Sequence, residues 1–196
     1  MELHNLLPTM AILIAAVRAI VVFNGLLFMF LRSKRTIEWN HAMKIAFAEP
    51  FLLAAAAAST WLSGSLAPMA GPPIAILLLG AMCSSGGLVL FLWSFVAYPS
   101  VGTGHYVDED HEVVRAGPYA LVRHPMYCAA VFVWLGLALA TADWALLTLT
   151  FAYVVPAYYF YALEEERMMS RELGSVYVRY ASQVPMLFPR PLNVWE

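Results

Sequence analysis

The stretch Arg115-Ala-Gly-Pro-Tyr-Ala-Leu-Val-Arg-His-Pro-Met-Tyr127 decides how the chain is read. It gathers turn-forming and polar residues in a sequence that is otherwise mostly apolar. Gly117-Pro118 marks a turn. Pro125 suits the first turn of a helix, where its missing N–H would have no partner in any case. The apolar run from Met126 onward reads as that helix. Arg123 and His124 then stand at its mouth, where free backbone N–H groups and the helix dipole favour an anion. A second polar knot, Glu164-Glu165-Glu166, comes where the last apolar run ends. The two knots are expected to face each other at the membrane surface and to build one site between them.

Composition sets the surroundings. Of 196 residues, 62% are hydrophobic and 12% charged, and mean hydropathy is +0.70. Globular domains are about half apolar and about a quarter charged, so the chain reads as an integral membrane protein of one domain. A net charge of −2 offers no bulk attraction to nucleic acid. Cys83 and Cys128 lie in apolar runs without a second Cys or a paired His at ligand spacing. They read as small buried hydrophobes, and no metal site is expected. The first apolar segment lacks a basic leader and a cleavage site, so it is expected to be a retained span.

A spanning helix needs ~20 mostly apolar residues. Five candidates cover residues 6–31, 45–66, 74–98, 126–140 and 144–163. Arg18 and Asn24 interrupt the first, the fourth is short, and Pro156 is expected to kink the fifth. Thr141-Ala142-Asp143 leaves only a tight turn between the last two, which form a helical hairpin. Charge orients the bundle. Arg32, Lys34, Arg35, Lys44, Arg115, Arg123, Arg167, Arg171, Arg179 and Arg190 fall on one side, and the opposite loops, 63–73 and 141–143, hold no Lys or Arg. That is a positive-inside pattern. The expected fold is all-α: a polytopic membrane helical bundle of about five transmembrane helices with a cytosolic C-terminus. Residues 1–98 carry the first three helices, 99–125 a cytosolic loop, 126–163 the hairpin, and 164–196 a cytosolic helix and tail, all in one domain.

Small residues at Ala54–Ala58 and Ser84-Ser-Gly-Gly87 are expected where helices approach closely. Arg18, in mid-span, needs a partner or water; it can pair with Glu49, snorkel, or meet a ligand. Gly102-Thr-Gly104 lacks the third glycine and the strand–helix context of a dinucleotide fingerprint. Asp108-Glu-Asp110 reads as a solvated acidic turn, and Val113-Val114 as a short extended wall. Arg123 and His124, with Tyr119 and Tyr127 on either side, offer a cation, hydrogen-bond donors and two aromatic faces. Such a set suits a ligand with an anionic group and a planar or cationic part. The helix carrying the three glutamates is expected to continue to Gly174. Successive residues there differ by about 100°, so the three acids cannot all face one site.

Gly117-Pro118-Tyr119, Arg123-His124-Pro125-Met126-Tyr127, a hydrophobic hairpin, Glu164-Glu165-Glu166, Gly174, Tyr177, Tyr180 and Val184-Pro185 follow in that order. This set resembles the isoprenylcysteine carboxyl methyltransferase family, and the wider group of membrane methyltransferases that includes phospholipid N-methyltransferases. The likeness spans residues 111–189, and the earlier spans carry no matching motif. It implies S-adenosylmethionine as methyl donor and a lipophilic acceptor, such as the carboxylate of a prenylated cysteine, met at the bilayer. It puts His111, Glu112, Val113, Val114, Tyr119, His124, Pro125, Met126, Tyr127, Glu165 and Glu166 at the cofactor, with Glu165 the preferred acid. Arg123 and Glu165 would be catalytic, and Arg123 and Tyr161 would meet the acceptor. One departure stands out. Where the prenylcysteine enzymes carry an arginine one turn before the acid, this chain has Tyr161. The acceptor path would be lined by Trp93, Phe95, Phe132, Trp134 and Tyr158 to Tyr161. Two other readings compete: an NADPH-dependent sterol-type reductase, for whose phosphates the loop offers only Arg115 and Arg123, and a small transporter. A prokaryotic cell membrane is favoured over a eukaryotic internal one, because the chain is compact and carries no retrieval signal.

Overall fold

The computed structural model describes residues 3–32, 41–66, 73–97 and 113–188. Among them the secondary structure is helical, with no strand: α1 (Leu3–Arg32), α2 (His41–Leu66), α3 (Ile74–Ala97), a 3-10 turn (Gly117–Ala120), α4 (Pro125–Thr141), α5 (Trp144–Leu149), a π-helical turn (Thr150–Val154), α6 (Val155–Leu173) and α7 (Ser175–Gln183). The fold is the all-α membrane bundle that composition demands. Among the described residues, three helical runs, 5–22, 74–97 and 144–173, are long and apolar enough to cross a bilayer, and α4 is a shorter apolar helix. Gly102-Thr-Gly104 and Asp108-Glu-Asp110 lie outside the described residues.

The inside–outside pattern is that of a protein solvated by lipid. Ala11, Ala15 and Ala19 of α1 are buried with Leu53, Ala56 and Ala57 of α2, and with Ala130, Val133, Trp134 and Leu137 of α4. Large apolar residues point outward instead: Met82 is 71% and Val96 75% exposed. Lipid tails solvate a leucine as well as another leucine does, so helices gain by meeting through small residues. Of the alanine run in α2, Ala56 and Ala57 turn inward while Ala54, Ala55 and Ala58 face out. The pairing of α3 with α4 is the most extensive in the molecule. A Cβ on Gly80 would lie 2.5 Å from the backbone N of Ala140, and one on Gly87 2.9 Å from the carbonyl of Ala129. Glycine at both positions lets the two backbones touch. Gly86, one residue before, faces open space.

The turn between α4 and α5 is as tight as its three residues require. Ala142 takes the left-handed conformation, φ 51°. Asp143 Oδ1 accepts hydrogen bonds from the N–H groups of Ala145 (2.9 Å) and Leu146 (3.1 Å), a side-chain cap on α5. From Trp144 to Leu173 the backbone stays helical. The kink expected at Pro156 takes the form of the π turn just before it. Proline has no N–H for the preceding turn, and the turn closes with Val155 N–H bonded to the carbonyl of Thr150, a wider loop that takes up the misfit. Thirty residues at 1.5 Å each make a rod of about 45 Å, longer than the ~30 Å hydrocarbon core. The charged final turns, from Glu164 on, therefore stand beyond the hydrocarbon.

Gly174, at φ 55°, ends α6. The chain reverses into α7, whose Tyr180 hydroxyl donates to the carbonyl of Tyr119 at 2.7 Å. Residues 184–188 then return as a strap along the start of α4. Arg123 N–H donates to Pro185 O (2.9 Å) and His124 N–H to Met186 O (3.0 Å). Leu187 is buried against Val122 and Cys128, and the Cys128 thiol donates to the Leu187 carbonyl. Cys128 is thus a buried packing residue, as its apolar context indicates.

Candidate active site

The corner at Arg123 and His124 takes its shape from three local features. Gly117, at φ 62°, holds the 3-10 turn against α3, where a Cβ would sit 3.3 Å from Trp93 Nε1. Pro125 opens α4, and the His124 carbonyl accepts the N–H groups of Tyr127 and Cys128. The strap takes up the N–H groups of Arg123 and His124. Two of the donors at the mouth of α4 are thus met by carbonyls that no spacing rule in the sequence announced.

The two polar knots meet here. Arg123 forms a two-pronged pair with Glu166, Nε to Oε1 and Nη2 to Oε2, each 2.7 Å. Its Nη1 donates to the carbonyls of Ala181 (2.7 Å) and Val184. The His124 ring lies between the acids: Nε2 is 3.1 Å from Glu166 Oε1 and Nδ1 3.3 Å from Glu165 Oε2. Tyr127 donates its hydroxyl to Glu165 Oε2 at 2.7 Å. Its ring stacks on His124 at 5.2 Å and tilts against Tyr161 at 5.4 Å. Glu164 turns away to pair with Arg167, as the 100° rotation per residue requires.

The charges lean on one another. Burial pushes the His124 imidazole towards its neutral form, but hydrogen bonds to Glu165 and Glu166 outweigh this and raise its pKa. Both ring nitrogens face carboxylates, which only accept, so both contacts are attractive in the imidazolium form. Burial likewise works to raise the Glu166 carboxyl, yet hydrogen bonds from His124 and Arg123 prevail and hold it below the usual carboxylate range. An open hollow of about 600 Å³ borders the knot, lined by Leu163, Glu164, Glu166, Arg167, Ser170 and Arg171.

Of the candidate site residues, Arg123, His124, Tyr127, Tyr161, Glu165 and Glu166 form this cluster. Pro125 is buried at the start of α4 and Met126 half-buried beside it. Val113 and Val114 are half-buried ahead of the 3-10 turn, and the Tyr119 carbonyl is tied to Tyr180. His111 and Glu112 lie outside the described residues. Trp134 belongs elsewhere than expected: it is fully buried in the core and does not line a path. Among the described residues no group of His, Cys, Asp and Glu could hold a metal ion.

A model of the phospholipid methyltransferase family matches residues 75–175, just over half of the chain. The chain belongs to the phospholipid methyltransferase family. No curated protein matches it. The match runs from α3 through the His124 corner and the hairpin to the acids of α6. It thus takes in α3, for which no motif was found, and stops short of the strap. The family belongs to the wider isoprenylcysteine and phospholipid methyltransferase group. This phospholipid methyltransferase family member is an integral membrane methyltransferase. That replaces the reductase and transporter readings. The basic residues a reductase would need are also engaged elsewhere: Arg115 donates to the Val176 carbonyl and lies over the Tyr180 ring, and Arg123 is held by Glu166.

Proposed function

We propose that the protein transfers a methyl group from S-adenosylmethionine to the amine of a lipophilic acceptor, at the cluster of His124, Tyr127, Glu165 and Glu166. The observation that carries this reading is the His124 ring held between Glu165 and Glu166. Paired carboxylates beside an aromatic stack fit a donor that has an ammonium, ribose hydroxyls and a sulfonium. Glu165 would take the ammonium or a ribose hydroxyl and the faces of Tyr127 and Tyr161 the sulfonium or the adenine, while His124, with both ring nitrogens engaged, would hold the two acids in place. His111, Glu112, Val113, Val114, Tyr119, Pro125, Met126 and Glu166 would complete the wall.

When bound, S-adenosylmethionine supplies a methyl carbon that an acceptor lone pair can attack in line, while the C–S bonding pair leaves on sulfur. Such a transfer needs little acid catalysis. The chain's part is alignment and exclusion of water, which in well-oriented reactions can be worth ~7–11 kcal/mol. Arg123 holds Glu166, Glu166 and Glu165 hold His124, and Tyr127 holds Glu165. An amine must shed a proton, and a glutamate of the cluster would take it. The carboxylate of a prenylated cysteine is the second reading, favoured by the ordered motif set. It would need a free cation. Tyr161 stands where the arginine would be, and all three guanidinium nitrogens of Arg123 are engaged. We therefore assign Arg123 a positioning role.

Titration calorimetry on the purified protein should show binding of S-adenosylmethionine and none of NADPH. Glu165→Gln and His124→Ala should each weaken that binding by about tenfold or more, with the helical circular dichroism unchanged. Wild-type affinity in both variants would remove the site. With labelled methyl donor, label should appear on an amine-headgroup lipid and not on farnesyl cysteine. Gain of farnesyl cysteine labelling in Tyr161→Arg would show that the missing arginine excludes the carboxylate acceptor.

A further inference from the structure

A second polar cluster sits inside the bundle, assembled from five helices. Arg18 of α1 donates from Nη1 to Glu49 Oε1 of α2 at 2.6 Å, and both side chains are buried, at 3% and 0% exposed. Trp134 of α4 donates its indole N–H to the same oxygen at 2.5 Å. Tyr158 of α6 donates to Glu49 Oε2 at 2.8 Å and accepts from Arg18 Nη2 at 3.1 Å. The Arg18 guanidinium also lies over the Phe91 ring of α3, 5.9 Å from its centre. Of the alternatives open for Arg18 on the sequence, the structure takes the pair with Glu49.

Stability alone does not account for such a cluster. A buried ion pair gives up so much hydration that well-packed apolar residues in its place are often as stable or more so. Its geometry points instead at the corner described above. The Tyr158 ring stacks on Tyr127 at 5.0 Å with 24° between planes. Tyr127 in turn donates to Glu165 and stacks on His124. Two hydrogen bonds and the stack of two rings between them thus join Glu49 to Glu165, and fixing the Tyr158 hydroxyl at Glu49 fixes the ring on which Tyr127 rests.

We propose that Arg18, Glu49 and Trp134 are positioning residues which, through Tyr158, hold Tyr127 and so aim the Glu165 carboxylate for methyl transfer. This rests on the reading that Glu165 belongs to the reacting site.

Tyr158→Phe tests it, because it keeps every ring and removes only the tie to Glu49 and Arg18. Turnover, acceptor KM and melting temperature are measured in detergent for wild type, Tyr158→Phe, Tyr127→Phe, the double variant and Glu165→Gln. Tyr158→Phe should lower kcat by about tenfold, a cost that misplacement readily produces, with acceptor KM within about twofold. The double variant should be no slower than the slower single one, because both changes cut the same link. A wild-type kcat in Tyr158→Phe, losses that multiply, or a loss that tracks melting temperature and vanishes on cooling would each overturn the proposal, provided that Glu165→Gln is impaired. If Glu165→Gln is itself fully active, the site reading fails first. Should Tyr158→Phe not accumulate, Arg18→Lys takes its place. It keeps the charge on Glu49 but has no second nitrogen for Tyr158, and the same fall in kcat is expected.

Discussion

At His124 a single proton ties the two halves of the site together. Its folded-state pKa is raised, so its contacts with Glu165 and Glu166 contribute stability that is complete below the unfolded value, about 6.5. That contribution is lost as pH climbs through the folded value. Glu166 is lowered and works the opposite way: its contribution is present above the ordinary carboxylate range and fades on acidification. The melting temperature in detergent should therefore be highest from mildly acidic to neutral pH and should decline on the alkaline side. His124→Gln should flatten the alkaline decline and weaken the acid limb without abolishing it, because Arg123 still holds Glu166; an unchanged alkaline slope in that variant would show that His124 does not carry the proton. The family resemblance pointed to Glu165, with Glu166 as the neighbouring choice. In the structure both acids are engaged, but with different partners, Glu165 with Tyr127 and Glu166 with Arg123. Sequence reading offered Arg123 as a cation for a ligand; in the structure it is held by the Glu166 carboxylate and by the carbonyls of Ala181 and Val184, backbone groups that carry no residue code.

Among the helices, the contact of α3 with α4 is the one most sensitive to volume. Gly80 and Gly87 each leave no room for a methyl group against the backbone of α4. Gly80→Ala should destabilise the protein by about 1–3 kcal/mol, the usual cost of overfilling a packed interface. Gly86→Ala, which meets open space, should be neutral or slightly stabilising, as alanine is the better helix former. Thermal melts of the two variants side by side check this, and equal losses would mean that the close contact of Gly80 with α4 does not set the cost. The run Ser84-Ser-Gly-Gly87 was legible as a close-approach signal, but which residues face α4 depends on the rotation of α3 about its axis. Pro156 was likewise legible as a disruption. Its resolution as a π turn depends on what the neighbouring helices tolerate, and α4 packs against that turn.

For the whole molecule, the distribution of Lys and Arg orients the bundle. A cysteine introduced at Asp143 should react with an impermeant maleimide from outside intact cells, and one at Arg171 only after the membrane is opened. The reverse pattern would put the cluster on the other side of the bilayer. Either way, on the proposed function a lipid acceptor would reach the cluster sideways from the bilayer and a polar donor from water. The core itself follows membrane logic: alanines inside, large apolar side chains outside. The buried charges of Arg18 and Glu49 are the exception, and they sit where five helices converge.

Hydropathy, turn residues and charge bias were enough, from the chain alone, to establish an all-α membrane bundle, the hairpin and the pairing of a His-Pro corner with an acidic helix end. These depend on local chemistry and on a solvent that admits few backbone arrangements. Tertiary structure alone decided that the strap of residues 184–188 closes over the start of α4, that Arg123 is held fast and that Trp134 and Tyr158 meet Arg18 and Glu49. Those contacts join residues far apart in the chain, and they depend on how each helix is rotated against its neighbours, which no local pattern records.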